Sequence, residues 1–71
     1  GLRWSVHPGS GPNDVSIVVA AGEPVSGATL EFQRSIATVD AGARLLPDRH
    51  RIVLPALKAQ ETASFDVRYA E

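Results

Sequence analysis

Cysteine and methionine are both missing from this 71-residue chain, and lysine occurs once. Without cysteine there is no disulfide staple and no thiolate to hold a metal, while the compartment stays open, because secreted bacterial modules often lack cysteine as well. A chain with no methionine that begins Gly1-Leu2-Arg3-Trp4 reads as a processed or excised piece of a longer protein. Seven basic residues stand against eight acidic ones, with no lysine-arginine run. Nucleic-acid affinity is built on phosphate neutralisation, so nucleic acid is not an expected partner. The longest uninterrupted apolar run is Ile17 to Ala21, far short of the roughly 20 residues of a membrane-spanning helix, and the amino end carries no basic-then-apolar leader pattern. No membrane insertion is expected. The basic residues are six arginines to one lysine, and alanine is abundant. That bias suggests GC-rich coding and a bacterial source.

What is present is modest in bulk. Val, Leu, Ile and Phe together make 19 of the 71 residues, above the level, roughly 20%, below which disorder is favoured. They suffice for one small domain with a thin two-layer core, near the size at which a single core is only marginally stabilising.

The arrangement of these residues is period two. Leu2, Trp4 and Val6 alternate with Arg3, Ser5 and His7; Val15, Ile17 and Val19 with Asp14, Ser16 and Val18; Ala28, Leu30 and Phe32 with Thr29, Glu31 and Gln33. Each is the pattern of a half-buried strand. Ser35 to Asp40 is shorter and less regular and reads as an edge strand with Ile36 and Val39 as its apolar content. After a turn at Asp40-Ala41-Gly42 and the stretch Ala43 to Asp48, a fifth strand is expected from about His50 to Leu54. The last is the most regular, with Ala63, Phe65, Val67 and Tyr69 on one face and Thr62, Ser64, Asp66 and Arg68 on the other. Between the first two strands, His7-Pro8-Gly9-Ser10-Gly11-Pro12-Asn13 stacks turn formers and must be a loop. No window carries the spacing of an amphipathic helix, and Leu54 to Glu61, interrupted by Pro55, leaves room for one turn at most. The expected fold is all-β, a small antiparallel immunoglobulin-like sandwich of about six to seven strands, with a small β-barrel as the alternative. Seven full-length immunoglobulin strands take about 100 residues. A compact variant, short of a strand or of longer loops, is therefore expected.

The sequence carries few groupings that could do chemistry. Ser5 and His7 sit two apart on the polar face of a strand, which sets hydroxyl and imidazole side by side with no acidic partner in place. Gly9-Ser10-Gly11 lacks the G-x-S-x-G spacing and the following helix of a nucleophile elbow. The acidic residues are spread singly rather than in a calcium-loop spacing, and Asp48 with His50 supplies two ligands where a metal site needs three or more. No catalytic residue, metal or cofactor is expected. One charge cluster remains, Arg44, Asp48, Arg49, His50 and Arg51, in a loop leading into a strand. Arginine's planar fork suits carboxylate or phosphate, so Arg44, Arg49, His50 and Arg51 are candidate contacts for an anionic ligand or acidic partner. The plainer reading is a solvated loop in which Asp48 pairs with a neighbour. Trp4, Phe32, Phe65 and Tyr69 all fall on apolar faces and read as core. Trp4, near the chain end, is the one most apt to be exposed, and joins the candidate contacts on that ground.

The stretch Arg51-Ile-Val-Leu-Pro-Ala-Leu-Lys-Ala-Gln-Glu-Thr-Ala-Ser-Phe-Asp-Val-Arg-Tyr69 resembles the late part of bacterial immunoglobulin-like modules of the cell-adhesion-related type called CARDB. There a strand runs into L-x-x-L-x-x-G-E/Q-T/S and then a strongly alternating strand. Leu54 and Leu57 match the two leucines and Glu61-Thr62 the polar pair, while Gln60 stands where that pattern has glycine. Asp14 to Val19 and Gly22 to Leu30 resemble the module's earlier segments. A similar β-rich segment flanks von Willebrand factor type A domains in some bacterial proteins. Either resemblance implies a non-catalytic spacer or adhesion module, extracellular or at the cell surface, with neighbouring domains or other proteins as partners. The alternative is a small-ligand or carbohydrate-binding β domain using Trp4 and the Arg44 to Arg51 loop. If the regular Thr62 to Tyr69 strand lies at a sheet edge, it would also let the chain pair with another copy.

Overall fold

Alternation along the sequence becomes seven strands in the computed structural model, which describes residues 1–40 and 42–71. They are β1 (Leu2–Pro8), β2 (Asp14–Ala21), β3 (Thr29–Glu31), β4 (Ile36–Val39), β5 (Arg44–Leu45), β6 (Arg51–Val53) and β7 (Thr62–Tyr69). Two antiparallel sheets form, one of order β1-β2-β7-β4 and one of order β3-β6-β5. The protein is a small all-β sandwich and not a closed barrel. Its four-plus-three division is that of an immunoglobulin-like domain, but the last strand sits where an immunoglobulin sheet has its fifth, and the fifth strand completes the smaller sheet. Seven strands fit into 71 residues because three of them are only two or three residues long.

The larger sheet is built on long hairpin pairing. β1 and β2 run in unbroken register from Leu2↔Ala21 to Pro8↔Val15. Their loop closes with the Gly9 N–H donating to the Asp14 carbonyl (3.0 Å) and the Asp14 N–H to the Gly11 carbonyl (3.2 Å). A Cβ at Gly9 would lie 2.7 Å from the Asp14 carbonyl carbon, so only glycine lets the strand turn so tightly here. β7 then inserts between β2 and β4, with Phe65 opposite Ile17 and Val67 opposite Val15 and Val39. The Thr62–Tyr69 strand is therefore interior, with β2 on one side and β4 on the other, and offers no edge to a second copy.

β4 is the expected edge strand, and its irregular pattern has a structural cause. The register slips between Ile36 and Thr38, a bulge that turns both Ile36 and Val39 inward despite their spacing of three. In the smaller sheet Leu30 and Leu45 both face Ile52. Ile17, Val19, Ile36, Ile52 and Val67 are fully buried between the sheets, with Phe65, Leu30, Leu54 and Leu57 close behind, and no polar residue joins them among the described residues. The Phe32 N–H extends the β3–β6 ladder by donating to the His50 carbonyl (2.7 Å), and the two sheets are joined where the Ile36 N–H donates to the Arg49 carbonyl (2.8 Å). The expected turn at Asp40-Ala41-Gly42 includes Ala41, which lies outside the described residues.

The carboxyl half of the sandwich holds its own turn. The Lys58 to Glu61 segment closes with the Glu61 N–H on the Lys58 carbonyl and the Lys58 N–H on the Glu61 carboxylate, 3.1 and 2.7 Å. Gln60 within it has φ 64°, the left-handed backbone that glycine adopts most readily. The glycine expected at this point of the pattern is absent, but the backbone it would favour is present.

Candidate functional site

Trp4 departs from the core role that its strand face suggests. It sits opposite Val19, and Val6 opposite Ile17, so both share a face with buried residues. Yet Trp4 and Val6 are each 48% exposed. The cause is the mismatch of the sheets. Three strands cover four, and among the named strands β1 touches only β2. Leu2, at the near end, still packs against the core, while Trp4 and Val6 overhang it.

The free side of β1 is also unpaired in its backbone. At the two ends of the register the Gly22 N–H donates to the Gly1 carbonyl (2.9 Å) and the Gly9 N–H to the Asp14 carbonyl (3.0 Å). Antiparallel bonding alternates, so the odd-numbered residues of β1 bond to β2, and Leu2, Trp4 and Val6 turn their N–H and C=O groups outward. Apolar side chains and free backbone groups thus come from the same three residues.

The other three sheet edges are blunted. β3 and β5 are short. β4 is bulged, and the Arg49 guanidinium donates to the Ile36 and Ala37 carbonyls, each at 3.2 Å. β1 has seven residues in regular register, no bulge and no inward-facing charge, with Pro8 only at its end. Natural sheets blunt their edges with such devices, and β1 has only the terminal proline and the single charge of Arg3.

The arginine loop is occupied with its own structure. Besides Arg49, Asp48 accepts from the His50 N–H (3.1 Å) and the Arg51 N–H (3.2 Å) through Oδ1, and from Arg51 Nε (2.7 Å) through Oδ2. The His50 N–H, then the Arg51 guanidinium, hold the Asp48 carboxyl below its ordinary pKa. His50 Nδ1 lies 3.1 Å from the Phe32 carbonyl oxygen, a contact that requires the proton on Nδ1. Arg44 is exposed on β5, opposite Val53. Arg49 lies against β4, and three strand spacings, about 14 Å, separate β4 from β1. Trp4 and Arg49 therefore lie at opposite edges of the larger sheet.

On the outer face of the larger sheet, Ser5 Oγ and His7 Nε2 lie 2.9 Å apart, side by side as their spacing predicts. No carboxylate hydrogen-bonds to this imidazole among the described residues, so the pair lacks the group that would orient a general base. At one end of the sandwich a half-open hollow of about 340 Å³ is lined in part by Ser10, Asp14, Thr38, Asp40, Asp66 and Arg68. Two of its four charges, Asp14 and Arg68, pair with each other, and Asp40 accepts from a backbone N–H. Arg68 Nε donates to Asp14 Oδ1 at 2.8 Å, Ser10 Oγ to Asp14 Oδ2 at 3.2 Å, and the Asp66 N–H to Asp40 Oδ1 at 2.6 Å. Arg68 holds the Asp14 carboxyl below its ordinary pKa. No three metal-ligating side chains converge among the described residues.

Val6 and the free backbone of β1 are the functional candidates that the sequence reading missed. Alternation marks the apolar face of a strand, but not whether a second sheet reaches over it. The signal within the sequence was the absence of any charge at positions 2, 4 and 6 of a strand closed by Pro8. Comparison with known protein families, with curated proteins and with solved structures finds no match.

Proposed function

We propose that this chain is a non-catalytic structural or protein-interaction module, which engages a partner by adding a strand to the free edge of β1. The observation that carries this reading is the difference between the four sheet edges: three are short, bulged or capped by Arg49, and β1 alone is long, regular and open. Strand addition draws affinity from main-chain hydrogen bonds and specificity from alternate side chains. Leu2, Trp4 and Val6 offer both. The resemblance of Leu54, Leu57 and Glu61-Thr62 to CARDB-type modules agrees with such a role at a bacterial cell surface, where partners would be neighbouring domains or other proteins.

The second reading, a small-ligand or carbohydrate site, rests on the exposed Trp4. It loses its other half because Arg49 and Arg51 are engaged by β4 carbonyls and by Asp48. Trp4 is the sole tryptophan, so its emission reports either event. Titration with a blocked, tryptophan-free peptide of alternating valine and threonine should shift that emission to the blue, while glycans and anions leave it unchanged. A response to a glycan or an anion with none to the peptide would overturn the strand-addition reading in favour of the second.

A further inference from the structure

Resting on the reading that β1 is a pairing edge, we propose that its occupant is a second copy of this chain, joined β1 to β1 about a twofold axis at Trp4. The edge is self-complementary. With Trp4 opposite its own counterpart, Leu2 meets Val6 of the other copy and Arg3 meets Ser5. The three outward-facing residues, Leu2, Trp4 and Val6, then fall opposite one another, each pair exchanging two N–H···O bonds. The only full charge on β1 is Arg3, and this register sets it against a serine rather than its own like. Shifting the axis to Ser5 is less favourable: Pro8, which has no N–H, would oppose Leu2, and Arg3 would oppose His7.

Geometry supplies the second argument. A twofold axis normal to the sheet keeps both copies' inner faces on the same side. The result is one continuous eight-stranded sheet, carrying the two three-stranded sheets on one face with the two overhangs between them. Trp4 and Val6 from each copy fill that gap, and these are the two large hydrophobic residues left exposed among the described residues. Symmetry closes the assembly, since each copy has one such edge and both are consumed. The interface is small, belonging to the weak end of specific contacts, so association should need high concentration.

Sedimentation of the unmodified chain from about 10 µM to about 1 mM reads this directly, the upper value being chosen for so small an interface. The mass should climb from 7.5 kDa toward twice that value. Trp4→Lys, changing a side chain that is half exposed, should stay monomeric and still melt cooperatively. An equal mixture of Arg3→Cys and Ser5→Cys chains should form the mixed disulfide several-fold faster than either chain pairs with itself, because only the Trp4-centred register brings those positions together. A chain that stays monomeric throughout, or a dimer that survives Trp4→Lys, overturns the self-pairing. Should the monomer still take up the alternating valine-threonine peptide, self-pairing alone fails and the strand-addition reading stands; with no peptide uptake either, both fail.

Discussion

Trp4 and Val19 are direct cross-strand partners on one face of one sheet, yet Val19 is wholly buried and Trp4 is 48% exposed. Adjacent strands of the same hairpin therefore sit on either side of the boundary of the core. The difference should be measurable as stability. In dilute solution Val19→Ala should cost about 2 kcal/mol or more, through lost burial and the cavity left behind. Trp4→Ala should cost under about 1 kcal/mol, as expected of a surface change. Urea unfolding followed by far-ultraviolet circular dichroism compares the two.

Phe65 is the central aromatic of the core, on the interior strand β7 opposite Ile17. Phe65→Ala should cost about 3–5 kcal/mol. In a domain this small that approaches the whole stability, so a thermal melt should show a largely unfolded population at room temperature. A cooperative melt close to that of the unmodified chain would contradict the placement of this face.

Gln60 occupies left-handed backbone at φ 64° while its N–H donates to the Ala21 carbonyl at 2.8 Å. Glycine there would relieve the steric cost but loosen the unfolded chain, and would give up an exposed 3.3 Å bond from Gln60 Nε2 to the Gly22 carbonyl. The net for Gln60→Gly should be between no change and about 1 kcal/mol of stabilisation, read as an upward shift of the urea midpoint. A β-branched residue such as valine at this position should lower that midpoint.

Gly9 presents the opposite case, in which space decides. Its would-be Cβ collides at 2.7 Å with the backbone carbonyl carbon and the Cβ of Asp14, neither of which can swing away as a flexible side-chain tip does. Gly9→Ala should destabilise by about 1–3 kcal/mol. The same loop holds Asp14 against Arg68, so the variant should also weaken that ion pair.

Asp14 and Asp48 both have carboxyl pKa values lowered by their partners, Arg68 for the first and the His50 N–H with Arg51 for the second. A carboxylate lowered on folding favours the folded state above its unfolded pKa, about 3.9, and loses that contribution as pH falls through the folded value. Stability should therefore drop on acidification below about pH 4. Asp48→Asn and Asp14→Asn should each flatten the drop. Both pairs are open to solvent, so the effect should be modest and shrink with added salt.

The long strands were legible because apolar and polar residues alternate along them. β1, β2 and β7 stand where alternation put them, and β4 stands at a sheet edge as its weaker pattern suggested. β5 was missed because Arg44 and Leu45 are too few to show a period, and its pairing is set by Leu45 meeting Ile52 across the smaller sheet. The face of Trp4 was readable, but its exposure was not, since that depends on how far a second sheet extends. Of the proposed contacts, Arg49 and Arg51 show why charge alone is a weak guide to a site. Whether a guanidinium faces solvent or a backbone carbonyl is decided by the fold, here by the left-handed backbone at Arg49, φ 62°, and by the bulge of β4.

The openness of the β1 edge is tested most directly by residue-resolved amide hydrogen exchange on the dilute chain. Exchange should alternate along this one strand: slow at Arg3, Ser5 and His7, whose N–H groups bond to β2, and fast at Leu2, Trp4 and Val6. Uniform protection along the strand, or fast exchange at all six, would contradict it.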